Sequence, residues 1–279
     1  MAKRVSRIFA TAFALLSAAF CVCRANAQSG GQVEEKPDRD ALYQVSTHQA
    51  LTLGDYYGSV SVGELKRRGD FGIGTFDGIN GELIMLDGVV YRAAADGSAE
   101  VVPDDETVPF ANASFFDVDE KQSVKDVPDV NALREILDER IATLGRTRFY
   151  LIRLDGTVRR VKARSEVKQS PPYEPLVKTM ERAQTVFEFE NISGSAIGLY
   201  CPPYMNMLNA PGWHFHFVSE DRTKGGHVLE LSVESGELAW DDADGFFMKL
   251  PTAGPFADFD LTVDQSKDIE KVETKADER

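Results

Sequence analysis

Cysteine is scarce in this chain. Its 279 residues include three cysteines, and two of these, Cys21 and Cys23, lie in an N-terminal segment that we expect to be cleaved off. Cys201 would then be the single thiol of the mature chain, which excludes an internal disulfide even in an oxidising compartment. Because Cys201 lies in an apolar stretch before two prolines, we interpret it as a buried thiol and not as a nucleophile. The fold must therefore depend on a packed core.

A membrane-spanning run is also missing. The apolar run Ile8 to Val22 is too short to cross a bilayer comfortably. It follows three basic residues and precedes the small-residue site Ala25-Asn26-Ala27, which is the pattern of a secretory signal peptide over residues 1–27. We therefore expect an exported protein, periplasmic or extracellular, without membrane association after cleavage. Residues 28–40 are polar and predict a disordered leader.

Positive charge is in deficit. Lysine and arginine total 31 against 45 aspartates and glutamates, so the formal net charge is −14 at pH 7. A surface this acidic is a poor partner for nucleic acid or for an anionic membrane. Because the acidic residues are spread along the chain, we interpret them mainly as a source of solubility.

Turn and periodicity signals predict an α+β fold with mixed, largely antiparallel sheets and a few flanking helices. Asp87-Gly88 and Asp155-Gly156 each separate two strand-like runs, which is typical of a two-residue hairpin. The predicted helices cover residues 61–68, 131–144 and 176–183. The predicted strands cover residues 82–86, 89–93, 148–154, 157–163, 186–190, 196–201, 213–219, 228–233 and 246–250.

Prolines at positions 171, 172 and 175 suggest a boundary between two domains. On this reading residues 41–170 form an N-terminal mixed-sheet domain, and residues 171–279 form a C-terminal antiparallel-sheet domain with the functional site. The glycine-rich stretch 69–78 does not have the spacing of a phosphate-binding loop, so we reject nucleotide binding there.

Histidine is rare and clustered. The chain has four histidines, and His214, His216 and His227 fall within fourteen positions. Alternate residues of a strand share a face, so His214 and His216 should project together, with aromatic residues on the other face. A tight return after Asp221 would bring His227 alongside on the next strand. Three imidazoles with an open fourth position are typical of a catalytic zinc site. The alternative is a half-buried strand that merely carries two histidines.

Three further residues have two readings each. Arg153 shares a strand face with Phe149 and Leu151, so it either reaches water at the sheet edge or binds a substrate carboxylate. Glu82 begins a strand and is either a solvated carboxylate or a desolvated acid suited to proton transfer. His48 is isolated in sequence and is either a ligand or a surface or capping residue, and we interpret it as the latter.

An ordered set of motifs resembles the bacterial acetolactate decarboxylases. Each motif is weak by itself, but together they run from Leu42 towards the C-terminus in the family's order. The matching segments are GDFGIGTFDG (69–78), GELI and LDG (81–88) with Tyr91, PFA (109–111), FY and IR (149–153) with Gly156, PY and PL (172–176), PGWHFHF (211–217), DR (221–222) and GGHVL (225–229). The chain departs from the family in having Trp213 and Phe215, where tyrosine and leucine are more common.

The resemblance implies an enzyme that converts 2-acetolactate, a small 2-hydroxy-3-keto acid, to acetoin and carbon dioxide. It also implies Zn2+ as the cofactor, a two-domain fold and a homodimer. By motif matching, the zinc ligands are His214, His216 and His227. The residues that would line the pocket are Thr75, Glu82, Arg153 and a tail glutamate, for which Glu273 matches best and Glu270 is the other candidate.

These parts suggest a mechanism. The substrate would chelate zinc through its ketone and hydroxyl oxygens, so that the electrons left by decarboxylation are held as an enediolate. Arg153 would orient the leaving carboxylate or stabilise the enediolate, and it would share the binding of substrate with Thr75. Glu82, with the tail glutamate Glu273, would protonate one face and thereby set the chirality of the product.

Two other classes of protein compete with this interpretation. His214-X-His216 followed by Glu220 resembles the first motif of a cupin, but the third histidine comes too soon and the glycine spacing differs. A secreted zinc-binding or carrier module would have the metal ligands without a substrate pocket. It would place Glu82 and Arg153 far from the histidines.

Overall fold

The computed structural model describes residues 38–252 and 254–274. The predicted signal peptide (1–27) and the predicted leader up to residue 37 lie outside the described residues. Within them, every helix is too short or too polar to cross a bilayer.

The described residues form mixed sheets with few helices, as the α+β prediction required. The helices are α1 (His48–Thr52), α2 (Val62–Lys66), α3 (Val130–Leu144), α4 (Leu176–Ala183) and α5 (Ser266–Thr274). The strands are β1 (Ala41–Val45), β2 (Val60–Ser61), β3 (Phe71–Thr75), β4 (Glu82–Leu86), β5 (Val89–Ala93), β6 (Ala99–Val101), β7 (Thr107–Val108), β8 (Phe110–Ser114), β9 (Glu120–Val127), β10 (Phe149–Glu166), β11 (Gln184–Cys201), β12 (Gly212–Ser219), β13 (Gly225–Ala243) and β14 (Gly245–Lys249).

Two large sheets organise these strands. The seven-stranded sheet has the order β14-β1-β8-β3-β4-β5-β6. The five-stranded sheet has the order β10-β11-β12-β13-β9. Because β10 also pairs with β13, the four strands β10 to β13 form a closed ring of pairings. Strands from both sides of residue 170 enter each sheet, since β14 joins β1 and β10 joins β11. The predicted domain boundary at 170/171 therefore does not separate the two sheets.

The alternation of side chains along β4 and β12 directs polar residues to the space between the sheets. In β4, Leu83 and Met85 join one core cluster, while Ile84 and Leu86 join another that also contains residues of β10 and β11. Glu82 has the parity of Ile84 and faces the same way. In β12, Phe215 and Phe217 enter the core of the five-stranded sheet, so His214 and His216, which alternate with them, face outward from that core.

One of the two predicted hairpins is correct and the other is wrong. Asp87 and Gly88 have φ values of 52° and 73° and join β4 to β5, as a type I′ turn requires. Residue 156, in contrast, lies inside the single long strand β10, where it pairs with Gly194 on one side and Gly236 on the other. A Cβ atom on Gly156 would lie 2.2 Å from the Ser235 carbonyl oxygen. The glycine serves close strand approach, not a turn.

Local signals placed the helices well. Ser61 caps α2 by accepting a hydrogen bond from the Glu64 amide, and Asp129 caps α3 in the same way. The α3 helix ends at Leu144 and is followed by the C-cap Gly145, whose φ of 118° suits glycine. The predicted helix 176–183 coincides with α4. Cys201 is buried in β11, and burial raises the pKa of its thiol to about 12, which fits the inert role expected of it.

Asp241 in β13 is a buried carboxyl group between the sheets. It is 5% exposed and accepts a hydrogen bond from the Asp117 amide at 3.1 Å. Burial raises its pKa from 3.8 to about 7. The folded state therefore holds the proton more tightly than the unfolded chain. The associated stability is fully present below about pH 4 and is lost as the pH rises to about 7.

Replacing Asp241 by asparagine should remove this loss, because the amide can still accept the hydrogen bond but cannot ionise. We expect the variant to be more stable than the parent above pH 7, by on the order of a few kcal/mol. Urea unfolding between pH 4 and pH 8 measures the difference, which should shrink as the pH falls. A difference in stability that does not change with pH would contradict the assignment.

Candidate metal centre

Three imidazoles converge where β12 meets β13. His214 and His216 share one face of β12, and His216 lies directly opposite His227 in the antiparallel pairing. The distance from Nε2 of His214 to Nε2 of His216 is 3.1 Å, and the distance to Nδ1 of His227 is 2.9 Å. The predicted cluster and its strand return are both present.

The second nitrogen of each ring meets an oxygen acceptor. Nδ1 of His216 donates to the Leu83 carbonyl at 2.8 Å. Nδ1 of His214 lies 3.3 Å from a carboxylate oxygen of Glu273, and Nε2 of His227 lies 3.4 Å from the Glu273 carbonyl. Because these outer nitrogens carry the protons, the three inner nitrogens present lone pairs to one another. Outer acceptors of this kind are the usual companions of metal-binding histidines.

The spacing of the inner nitrogens suits a metal ion. In a tetrahedral site with Zn–N bonds of about 2.0–2.1 Å, ligand nitrogens are about 3.3 Å apart. Burial lowers the pKa of His214, and it lowers the pKa of His216 and His227 well below the usual value. The rings are therefore neutral at physiological pH and ready to coordinate. These three residues could hold a metal ion.

Glu82 lies at the start of β4, against the histidine cluster. One of its carboxylate oxygens is 3.4 Å from Nε2 of His216. Glu82 is 7% exposed and shares the pocket with the equally buried Glu166. Burial and the neighbouring Glu166 raise the pKa of Glu82 well above its usual value, which favours the protonated carboxyl group.

Arg164 is the arginine that lines this pocket. The pairing of β10 with β13 places Arg164 directly opposite His227, and this brings its side chain to the pocket. The guanidinium is 3% exposed and donates to the Val272 carbonyl, and its Nε lies 3.8 Å from Glu166. Within the described residues this Nε has no hydrogen-bond partner. A buried guanidinium with an unused donor can bind a carboxylate.

The structure does not bring Arg153 to the pocket, and the prediction of Arg153 as a substrate ligand is corrected here. Its guanidinium pairs with Asp87 and Asp155, both at 2.7 Å, and is partly exposed. Asp87 follows the last residue of β4 and is five residues beyond Glu82, which corresponds to about 17 Å of extended chain. Arg153 therefore lies near the C-terminal end of β4, whereas the histidines lie near its N-terminal end, at Glu82.

The C-terminal helix α5 supplies Glu273 to the site. The carboxylate of Glu273 contacts His214 and also lies 2.8 Å from Nε2 of His48. Burial raises the pKa of Glu273, but His214 and the hydrogen bond from His48 outweigh burial, and the net pKa lies well below the usual value. The other candidate, Glu270, is exposed on α5 and does not line the pocket.

Thr75 and a wall of apolar side chains complete the pocket. The Thr75 hydroxyl is buried and donates to the Gly81 carbonyl at 2.9 Å. The lining also includes the apolar side chains Leu51, Phe110, Leu176 and Met180. The pocket therefore offers both charged and apolar side chains to a small acid with short alkyl groups.

Sequence reasoning missed three residues of this pocket. Arg164 and Glu166 carry no motif signal, because their place depends on a strand pairing between distant segments. His48 was interpreted as a surface or capping residue, and this was wrong. The cap of α1 is the neighbouring Thr47, whereas His48 is 2% exposed and faces Glu273.

Known proteins are similar to the chain along most of its length. The family described as "Alpha-acetolactate decarboxylase" matches residues 42–263. The alpha-acetolactate decarboxylase of Methanosarcina mazei is 43% identical over 234 residues, which cover 84% of this chain and 80% of the relative. That of Brevibacillus brevis is 35% identical over 272 residues, which cover 97% of this chain and 94% of the relative. The crystal structure of alpha-acetolactate decarboxylase from Bacillus subtilis strain 168 superimposes with a TM-score of 0.81 at 33% identity, and covers 84% of this chain and all 100% of that chain.

Proposed function

The chain belongs to the alpha-acetolactate decarboxylase family of carboxy-lyases, and we propose that it decarboxylates 2-acetolactate to acetoin at a zinc ion held by His214, His216 and His227. The observation that carries the proposal is the convergence of three histidine lone pairs with a buried acid and a buried guanidinium in one pocket. The contact of Glu82 with His216 also argues against a simple metal carrier, which would need no such neighbour.

The metal site fits the chemistry that the reaction needs. Three neutral imidazoles with outer hydrogen-bond acceptors would hold the zinc ion. A bound zinc ion supplies Lewis acidity, which draws electron density towards the ketone and hydroxyl oxygens of the substrate.

Arg164 binds the substrate carboxylate in this proposal. A guanidinium in a water-poor pocket holds the carboxylate through charge-assisted hydrogen bonds and orients the bond that breaks. When this carbon–carbon bond breaks, carbon dioxide leaves and the electron pair spreads from the carbon onto the neighbouring ketone oxygen as an enediolate. Arg164 then lies beside the departing group and stabilises the charge while it shifts.

Glu82 delivers the proton that completes the reaction. Burial and the neighbouring Glu166 raise its pKa well above the usual value, which favours the protonated carboxyl that donates to the enediolate carbon after carbon dioxide has left. Because Glu82 lies on one fixed side of the pocket, it protonates one face of the planar carbon. The product acetoin is then formed with one chirality.

Replacing Glu82 by glutamine should separate proton transfer from metal binding. The amide fills the same volume but cannot supply a carboxylic proton, so we expect turnover to fall by about 10²-fold with an unchanged metal content. Steady-state acetoin formation and chiral chromatography of the product measure the effect. Full activity with unchanged chirality would contradict the role of Glu82.

Acetoin formation from racemic 2-acetolactate by the purified chain tests the function itself. The assay is run before metal stripping, after it, and after zinc or another divalent ion is restored. Activity lost on stripping and regained best with zinc supports the proposal. Bound zinc without acetoin under any condition would overturn it.

We also propose that the chain is exported after cleavage at residue 27 and that it is active as a homodimer. The basis of the first proposal is the basic and apolar pattern of residues 1–27, and the basis of the second is the resemblance to the family. N-terminal sequencing of the protein recovered from its native compartment tests cleavage. Sedimentation equilibrium tests the dimer, and a monomer that retains full activity would contradict it.

A further inference from the structure

His48 is a buried histidine beside the metal centre that does not belong to the three-imidazole cluster. It is the first residue of α1 and is 2% exposed. Its Nε2 lies 2.8 Å from one carboxylate oxygen of Glu273. Its ring also packs edge-on against Phe110, with 5.2 Å between the ring centroids. The ring is therefore held in place and directed at the tail glutamate.

Glu273 is bound from two sides. The carboxylate oxygen that does not face His48 lies 3.3 Å from Nδ1 of His214. A glutamate side chain has several rotatable bonds, so a single contact leaves its carboxylate free to adopt other orientations. The pair of contacts selects the orientation in which Glu273 accepts from His214. In turn, this directs the inner nitrogen of His214 at the other two imidazoles.

The end of α5 depends on a few contacts with the pocket. The helix covers Ser266–Thr274, and nine residues are too few for a helix that is stable by itself in water. Ile269 and Val272 are its buried apolar side chains. Beyond these, the Val272 carbonyl accepts from Arg164, and Glu273 contacts His48 and His214.

We propose that His48 is a positioning residue, which holds the Glu273 carboxylate against His214 and thereby seats the end of α5 over the pocket. The inference rests on the proposed function, because the loss of acetoin formation is one of its readouts. His48 itself contacts neither the substrate nor the metal ion. It acts through Glu273, and the property required of residue 48 is an N–H donor at the position of Nε2.

Two substitutions distinguish the donor from the bulk of the side chain. His48→Leu keeps an apolar side chain beside Phe110 but removes the donor, and we expect kcat/KM to fall by about 10- to 100-fold at unchanged metal content. His48→Gln retains an N–H donor at a similar reach, and we expect it to restore activity to within about threefold of the parent. Added to Glu273→Gln, His48→Leu should have less than about a twofold further effect, because the pair acts as a unit.

Hydrogen–deuterium exchange of α5 gives a readout that does not depend on activity. We expect faster exchange in residues 266–274 with His48→Leu, and parental exchange with His48→Gln, in both metal-loaded and metal-stripped protein. If the parent forms no acetoin, the proposed function fails, while the exchange result still decides the role of His48. Three results would overturn the inference: parental activity and exchange in His48→Leu, equal losses in both variants with a lowered melting temperature, or fully additive losses in the double variant.

Discussion

His216→Ala is expected to abolish both metal binding and acetoin formation. His216 is fully buried, and its outer nitrogen is held by the Leu83 carbonyl while its inner nitrogen faces the cluster. Removing it leaves two ligands, and a two-ligand site retains zinc poorly. Without the Lewis acid, the transition state loses several kcal/mol of stabilisation, so the rate should fall by more than about 10³-fold.

Metal content after dialysis, measured by atomic spectroscopy, and acetoin formation in the same sample check this prediction. His48→Gln is the matched control, because it changes a buried histidine of the same pocket outside the cluster and should keep the metal. The melting temperature shows whether the alanine variant is folded. A folded His216→Ala protein with parental zinc and activity would remove the cluster from the mechanism.

Arg164→Gln should lower kcat/KM by about 10³-fold, whereas Arg153→Gln should change it by less than about twofold. Both residues lie on β10 and both are arginines, so the pair controls for the loss of one positive charge from the strand. Arg164 is buried among Glu166, Val272 and the pocket wall, but Arg153 is satisfied by Asp87 and Asp155. The expected difference follows from position and not from residue type.

Arg164→Lys adds a test of geometry. Lysine keeps the charge but cannot present the planar fork of donors, so we expect an activity between those of the parent and Arg164→Gln. Steady-state kinetics of all three variants, with thermal melts to show folding, measure the effects. A large loss for Arg153→Gln together with parental kinetics for Arg164→Gln would restore the assignment that the motifs suggested.

The histidine cluster could be predicted from the sequence because its signal is local. His214 and His216 share a strand face through the two-residue period of a strand, and His227 follows after a short return. Glu82 could be predicted for the same reason, since it begins a strand whose apolar residues alternate between two cores. Glu273 was found by motif matching only, and its contact with His214 needed the packing of α5.

Arg164 could not be predicted as a pocket residue, because its position depends on the long-range pairing of β10 with β13. Asp155-Gly156 has the composition of a hairpin turn, and on that reading Arg153 lies on the first strand while Arg164 follows the end of the second. In the fold, glycines at 156, 194 and 236 lie side by side on three strands, and β10 runs through without a turn. Composition does not distinguish a turn from a point of close strand approach. The neighbouring strands decide between them.

The sequence by itself determined the local elements of this protein: the caps of α2 and α3, the Asp87-Gly88 turn, the alternating faces of β4 and β12, and the histidine cluster that these faces present. Each depends on backbone preferences or on periods that span a few residues. The tertiary structure decided which arginine enters the pocket, which glutamate of α5 reaches His214, and that His48 is buried beside it. The contacts Arg164–Val272 and His48–Glu273 join residues more than a hundred positions apart, and His214 and Glu273 are 59 positions apart. Only the packing of the sheets and the tail helix brings them together.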